Sequence, residues 1–112
     1  MKPVEVVFCG DSLYLSMLAA SLQQNEHLRI SMIEHEAVKA IPELNMLCPD
    51  VLILEEANTT SAEIDPALKD VFCQMLIIVY RQTDSIEVQR NDRRFTASVD
   101  SLVQVIIETI LK

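Results

Sequence analysis

The chain has 112 residues, half of them apolar, and its 17 acidic and 9 basic residues leave a net charge of −8. That apolar share excludes disorder, and the length suits one domain, residues 1–112, able to bury a core without disulfides or metals. The acidic balance argues against a nucleic-acid or anionic-membrane partner, no apolar run approaches the ~18 residues of a membrane span, and no basic-then-apolar leader opens the sequence, so the expected compartment is the cytoplasm.

Val4 to Cys9 is mostly apolar and rich in β-formers, and is expected to be the first strand. Gly10, the only glycine, marks a tight exit, and Asp11 or Ser12 can cap a helix running to about Gln24 with Leu15, Leu18 and Leu22 on one face. Leu28 to Ile33 alternates in polarity, as an edge strand with one wet face does. Glu36 to Leu47 is helical in pattern but contains Pro42, so the helix either starts near Ile41 or kinks there.

Val51 to Leu54 is a short, continuously apolar run after Pro49-Asp50, the pattern of a parallel strand buried on both faces. It stops at Glu55 and Glu56. Ligands of open α/β sheets gather at the carboxyl ends of such strands, which makes these two acids candidate site residues. The polar stretch 57–61 reads as a loop. Asp65 and Pro66 read as an N-cap and first helical position, opening a short helix to about Cys73. Met75 to Tyr80 is a fourth continuous strand.

The pattern weakens after Tyr80. Thr83 to Asp92 is short and polar for a helix, and Ile86-Glu87-Val88-Gln89 followed by Arg90 to Arg93 fits a strand and a turn equally well. Phe95 to Ala97 reads as a brief fifth strand. Asp100 or Ser101 would cap the last helix, with Gln104 completing a capping box, and Leu102, Val103, Ile106, Ile107 and Ile110 forming its apolar stripe. Strands alternating with helices imply βαβ crossovers and a parallel sheet covered on both faces. Cys9, Cys48 and Cys73 are widely spaced, and neither His27 nor His35 lies at ligand spacing from them, so they read as buried small hydrophobes in a reducing compartment; no metal and no cofactor is expected.

In this order the elements resemble a response-regulator receiver domain over nearly the whole chain. The Pro49–Glu55 run is similar to the family's Pro-Asp-aliphatic strand ending in the phosphorylated aspartate. The Leu76–Tyr80 run is similar to the strand ending in a threonine or serine switch residue, and Arg94–Leu111 to the last strand and final helix. The resemblance implies a flavodoxin-like α/β fold: a doubly wound five-stranded parallel sheet, order 2-1-3-4-5, with helices on both faces and a fourth helix that is short or missing.

The residues that carry the family's chemistry are changed. The adjacent metal-binding acids of the first strand fall on Cys9 and Gly10, leaving Asp11 nearby. Glu55 stands at the phosphoacceptor position, Tyr80 at the switch position, and Ala97 at that of the phosphate-pairing lysine. Phosphoryl transfer to a carboxylate needs a bridging cation and positive charge for the transition state, and Mg²⁺ is usually held by carboxylates. The pocket positions Asp11, Glu55, Glu56, Tyr80 and Ala97 therefore read as degenerate, with Glu55 a solvated carboxylate paired with Arg81 or a fixed imitation of the charged state. The expected function is a non-catalytic pseudo-receiver that acts through protein–protein contacts in signalling, binding another regulatory protein or a second copy of itself. Arg81, Arg90, Arg93 and Arg94 form the candidate interaction face in an otherwise acidic chain. The alternatives are a receiver still phosphorylated at Glu55 or Asp11, and a phosphocysteine domain using Cys9, similar to the sugar-phosphotransferase IIB domains. The latter is opposed by the bulky turn after Cys9, because phosphate loops need small residues.

Overall fold

The computed structural model describes residues 3–34, 41–55, 75–90 and 93–110. Their strands are β1 (Val4–Cys9), β2 (Leu28–Ile33), β3 (Val51–Glu55), β4 (Met75–Tyr80), β5 (Ser85–Arg90) and β6 (Arg93–Ser98). The helices are α1 (Leu13–Leu22), α2 (Ile41–Leu47) and α3 (Leu102–Ile110), the last entered through a 3₁₀ turn at Val99–Ser101. All six strands join one sheet in the order β2-β1-β3-β4-β5-β6. The expected helix from Asp65 to Cys73, the 57–61 loop, Glu56, His35, Cys73 and the first residues of the Glu36–Leu47 helix lie outside the described residues.

The fold is α/β with helices on both faces of the sheet, but the sheet is mixed. β1 pairs in parallel with β2 and β3, and β3 with β4; β5 runs antiparallel to both β4 and β6. The expectation of five parallel strands is corrected here. Ser85 pairs with Tyr80, so only the four residues Arg81–Asp84 separate β4 from β5. A return to parallel pairing takes a dozen or more residues of crossover, whereas a four-residue loop suffices for a hairpin. Amide bonds from Thr83 to the Tyr80 carbonyl (3.3 Å) and from Asp84 to the Arg81 carbonyl (3.4 Å) close that loop, with Asp84 in the left-handed region at φ 50°. Ile86 and Val88 then enter the core at strand period, which a helix in the same place could not arrange.

The core lies on the two faces of the sheet. On one, Val6, Phe8, Ile53, Ile77, Ile86 and Val88 pack against Leu15, Ala19 and Leu22 of α1 and Leu102 and Ile106 of α3. On the other, Val7, Cys9, Ile33, Leu52 and Leu54 pack with Leu44 of α2. β3 is buried on both faces along Val51–Leu54, as its unbroken apolar run requires. β2 forms one edge of the sheet, as its alternation predicts.

Local signals explain most of the boundaries. Ser12 caps α1, its Oγ accepting the Leu15 amide at 3.1 Å, and α1 ends at Leu22, short of Gln24. Pro42 falls in the first turn of α2, where its missing N–H costs nothing. Asp50 is a latch at the opening of β3: its Oδ2 accepts the Glu5 amide and its own amide donates to the Glu5 carbonyl, both at 2.9 Å. The Pro-Asp start of the run is thus accounted for by strand docking at the amino end of the sheet. At α3 the expected capping box does not form. The chain turns first through the 3₁₀ segment, Ser98 and Ser101 share a hydroxyl contact at 3.3 Å, and Gln104 donates to Glu108 at 3.0 Å.

Candidate functional site

The strand order reverses between β1 and β3, so the crevice where an open α/β sheet presents ligands lies at their carboxyl ends. Cys9 pairs with Leu54, which sets Gly10 and Glu55 side by side at that end. Gly10 has φ 141°, and a Cβ there would meet Leu15 Cδ1 at 2.7 Å. Only glycine both adopts this conformation and lets α1 sit so close to the strand end. Asp11 follows, exposed, ahead of the Ser12 cap.

Glu55 is the unusual group. Its side chain is only 8% exposed, and its Oε2 is buried without a hydrogen-bond partner. Arg81, from the loop after β4, brings Nε to 4.0 Å from that oxygen, an ion-pair distance too long for a hydrogen bond. The Arg81 side chain itself is 54% exposed, so its charge reaches inward from solvent. The expected pairing of Glu55 with Arg81 is observed, and one of its two carboxylate oxygens, Oε2, is shut off from solvent.

Around this pair the strand ends gather groups that sequence reasoning passed over. The Tyr14 hydroxyl of α1 donates to Asp84 Oδ1 at 3.2 Å, tying the helix to the β4–β5 loop across 70 positions of sequence. Burial first, then that hydrogen bond, then the charges of Asp84, Glu55 and Asp100 push the Tyr14 phenol above its ordinary pKa. The signal for this contact was only the left-handed conformation that aspartate tolerates at a loop end, which requires knowing that a loop is there.

The remaining expected site residues are dispersed. Tyr80 ends β4, half-buried, beside Ser85. Ala97 is half-buried on β6 opposite Ile86 and packs against the core, not into the crevice. Glu56 lies outside the described residues. Cys9 is 4% exposed, and burial together with the Glu43 charge raises its thiol from 9.0 to about 11, the opposite of an activated nucleophile. Cys48, by contrast with the buried cysteine expected, is exposed and sits at φ 48° just past α2. Among the described residues no three His, Cys, Asp or Glu side chains form a group with metal-ligating geometry.

The four arginines do not share a face. Arg81 stands at the carboxyl end of β4, but β5 carries the chain back, so Arg90, Arg93 and Arg94 lie at the opposite end of the sheet, roughly 20 Å away along a six-residue strand. This corrects the expected single cluster: an antiparallel reversal separates Arg81 from the other three. Arg94 Nε lies 3.9 Å from Glu87 Oε2, which also accepts from Gln89 at 2.7 Å. Arg93 is exposed and makes no ion pair among the described residues.

No helix among the described residues is long and apolar enough to cross a membrane. No family model matches the chain, and no curated protein or solved structure matches it.

Proposed function

We propose that this chain is a non-catalytic, receiver-like module that works through protein contacts in regulation and does not transfer phosphate. The observation that carries the reading is the enclosure of Glu55. A carboxylate that accepts a phosphoryl group must present an oxygen in line with the donor, and the transferred charge must meet a cation positioned for it. Glu55 Oε2 is buried, and the cation beside it, Arg81, already faces the carboxylate. Asp11 is exposed but stands alone at the turn, without the adjacent acids that hold Mg²⁺ in the family it resembles. The raised thiol of Cys9 speaks against the phosphocysteine alternative.

The test is incubation with Mg²⁺ and a small acyl-phosphate donor, read by intact mass. The expected result is an unmodified chain. A phosphoryl adduct that disappears in Glu55→Gln or Asp11→Asn would replace this reading with that of a working phosphoacceptor.

A further inference from the structure

We propose that the outer edge of β6 is a strand-addition site for an extended acidic segment of a partner protein; this rests on the interaction-module reading above and specifies its docking mode. Among the described residues β6 is the terminal strand of the sheet, and Arg93, Arg94, Phe95 and Thr96 are exposed, as is Ser98. The Val99 amide donates to the Asp84 carbonyl at 2.9 Å, which fixes the phase of the antiparallel ladder. Hydrogen-bonded pairs alternate with non-bonded ones, so pairs 86/97, 88/95 and 90/93 exchange bonds. The N–H and C=O groups of Arg94, Thr96 and Ser98 therefore point outward. They make three evenly spaced donor–acceptor positions on an edge with no proline.

The side chains state what the added strand must carry. Arg93, Phe95 and Ala97 share one face of β6, and Arg94, Thr96 and Ser98 the other. Phe95 is 44% exposed beside buried Val88, an apolar anchor that a neighbouring strand would cover. Arg90, Arg93 and Arg94, with Asp92 between them, leave a charge of +2 over five positions of a chain with net charge −8, and Arg94 also lies 3.9 Å from Glu87. That local charge selects acidic residues opposite the start of β6 and an apolar one opposite Phe95. A second copy is disfavoured as occupant, because the strand it would add at this edge, its own β6, carries the same two arginines and no acidic residue to set against them.

The experiment uses a capped heptapeptide alternating glutamate and valine, with a lysine–valine peptide as control, and reads amide hydrogen exchange residue by residue. The expected result is slowed exchange at Arg94, Thr96 and Ser98 with the glutamate peptide alone, and no change at Phe95 or Ala97, whose amides already bond to β5. The Arg93→Glu, Arg94→Glu double variant should weaken binding about tenfold through lost charge complementarity. Thr96→Pro, which deletes one outward donor at a position where an edge tolerates proline, should weaken it about as much. Binding without protection at those three amides, equal binding of the lysine peptide, no binding of either, or concentration-dependent protection in the free protein would each overturn the proposal. The double variant leaves the backbone intact and remains informative if Thr96→Pro fails to fold. Failure here with the chain still refusing phosphate removes only the docking mode, whereas phosphorylation at Glu55 removes the functional reading and leaves the edge result standing.

Discussion

At the scale of single residues, the strand ends hold one group whose burial works against stability. Glu55 Oε2 is enclosed with no hydrogen-bond partner and a cation at 4.0 Å. Burying one carboxylate oxygen without a hydrogen bond costs at least as much as a loose pair returns. Glu55→Gln is therefore expected to leave unfolding stability within about 1 kcal/mol of the parent or to raise it, measured by denaturant titration; a loss well beyond that would mean the carboxylate is held by contacts the geometry does not account for. Gly10 behaves oppositely. Gly10→Ala puts a Cβ 2.7 Å from Leu15 Cδ1 at a φ of 141°, and should destabilise by about 2 kcal/mol or more.

Cys9 gives the pH dependence. Its thiol holds a proton up to about 11 in the folded protein, against 9.0 for an ordinary cysteine. Between these values the unfolded chain has lost the proton and the folded chain keeps it, so stability that is full below pH 9 falls as pH rises toward 11, by about 2 kcal/mol. Cys9→Ala should remove that part of the slope. In the folded protein at neutral pH, a maleimide should label exposed Cys48 and leave Cys9 untouched until denaturant is added; prompt labelling of both would show Cys9 to be accessible.

At the scale of elements, the decisive feature is the β5–β6 hairpin. As a strand, β5 buries Ile86 and Val88 and turns Glu87 and Gln89 to the other face. Ile86→Ala should then cost about 2–4 kcal/mol and Val88→Ala somewhat less, while Glu87→Ala and Gln89→Ala stay within about 1 kcal/mol. A helix would bring Ile86 and Gln89 onto one face, and equal sensitivity at those two positions would contradict the hairpin. This element also marks where reading the sequence runs out. β3 and β4 are continuous apolar runs and β1 is one interrupted only by Glu5, which makes them legible as buried strands, and Ser12 and Pro42 place the starts of α1 and α2. Ile86-Glu87-Val88-Gln89 offers only two apolar residues, too few to separate period 2 from period 3.6. The Ser101–Gln104 box was legible but lost to the 3₁₀ entry of α3, a boundary set by how β6 leaves the sheet.

At the scale of the molecule, that reversal of strand direction decides which site residues meet. The position of Glu55 at a strand end followed from its apolar run, and its pairing with Arg81 from adjacency of the two strand ends. Neither the burial of Glu55 Oε2 nor the Tyr14–Asp84 bond could be read, because both depend on how elements far apart in the sequence meet at the strand ends. The separation of Arg81 from Arg90, Arg93 and Arg94 depends on strand direction, which composition does not encode. The resulting molecule has two distinct ends: a crevice end where charge is turned inward, and a basic hairpin end with open backbone at its edge.

The most direct test follows the backbone amides of Gly10, Asp11, Glu55 and Arg81 by NMR while Mg²⁺ and fluoroberyllate, a mimic of a carboxyl-bound phosphoryl group, are added together. An enclosed, cation-faced Glu55 predicts resonances that do not move. Saturable shifts at Gly10, Asp11 and Glu55, absent when either Mg²⁺ or fluoroberyllate is omitted, would show a phosphate pocket still in working order and contradict the account.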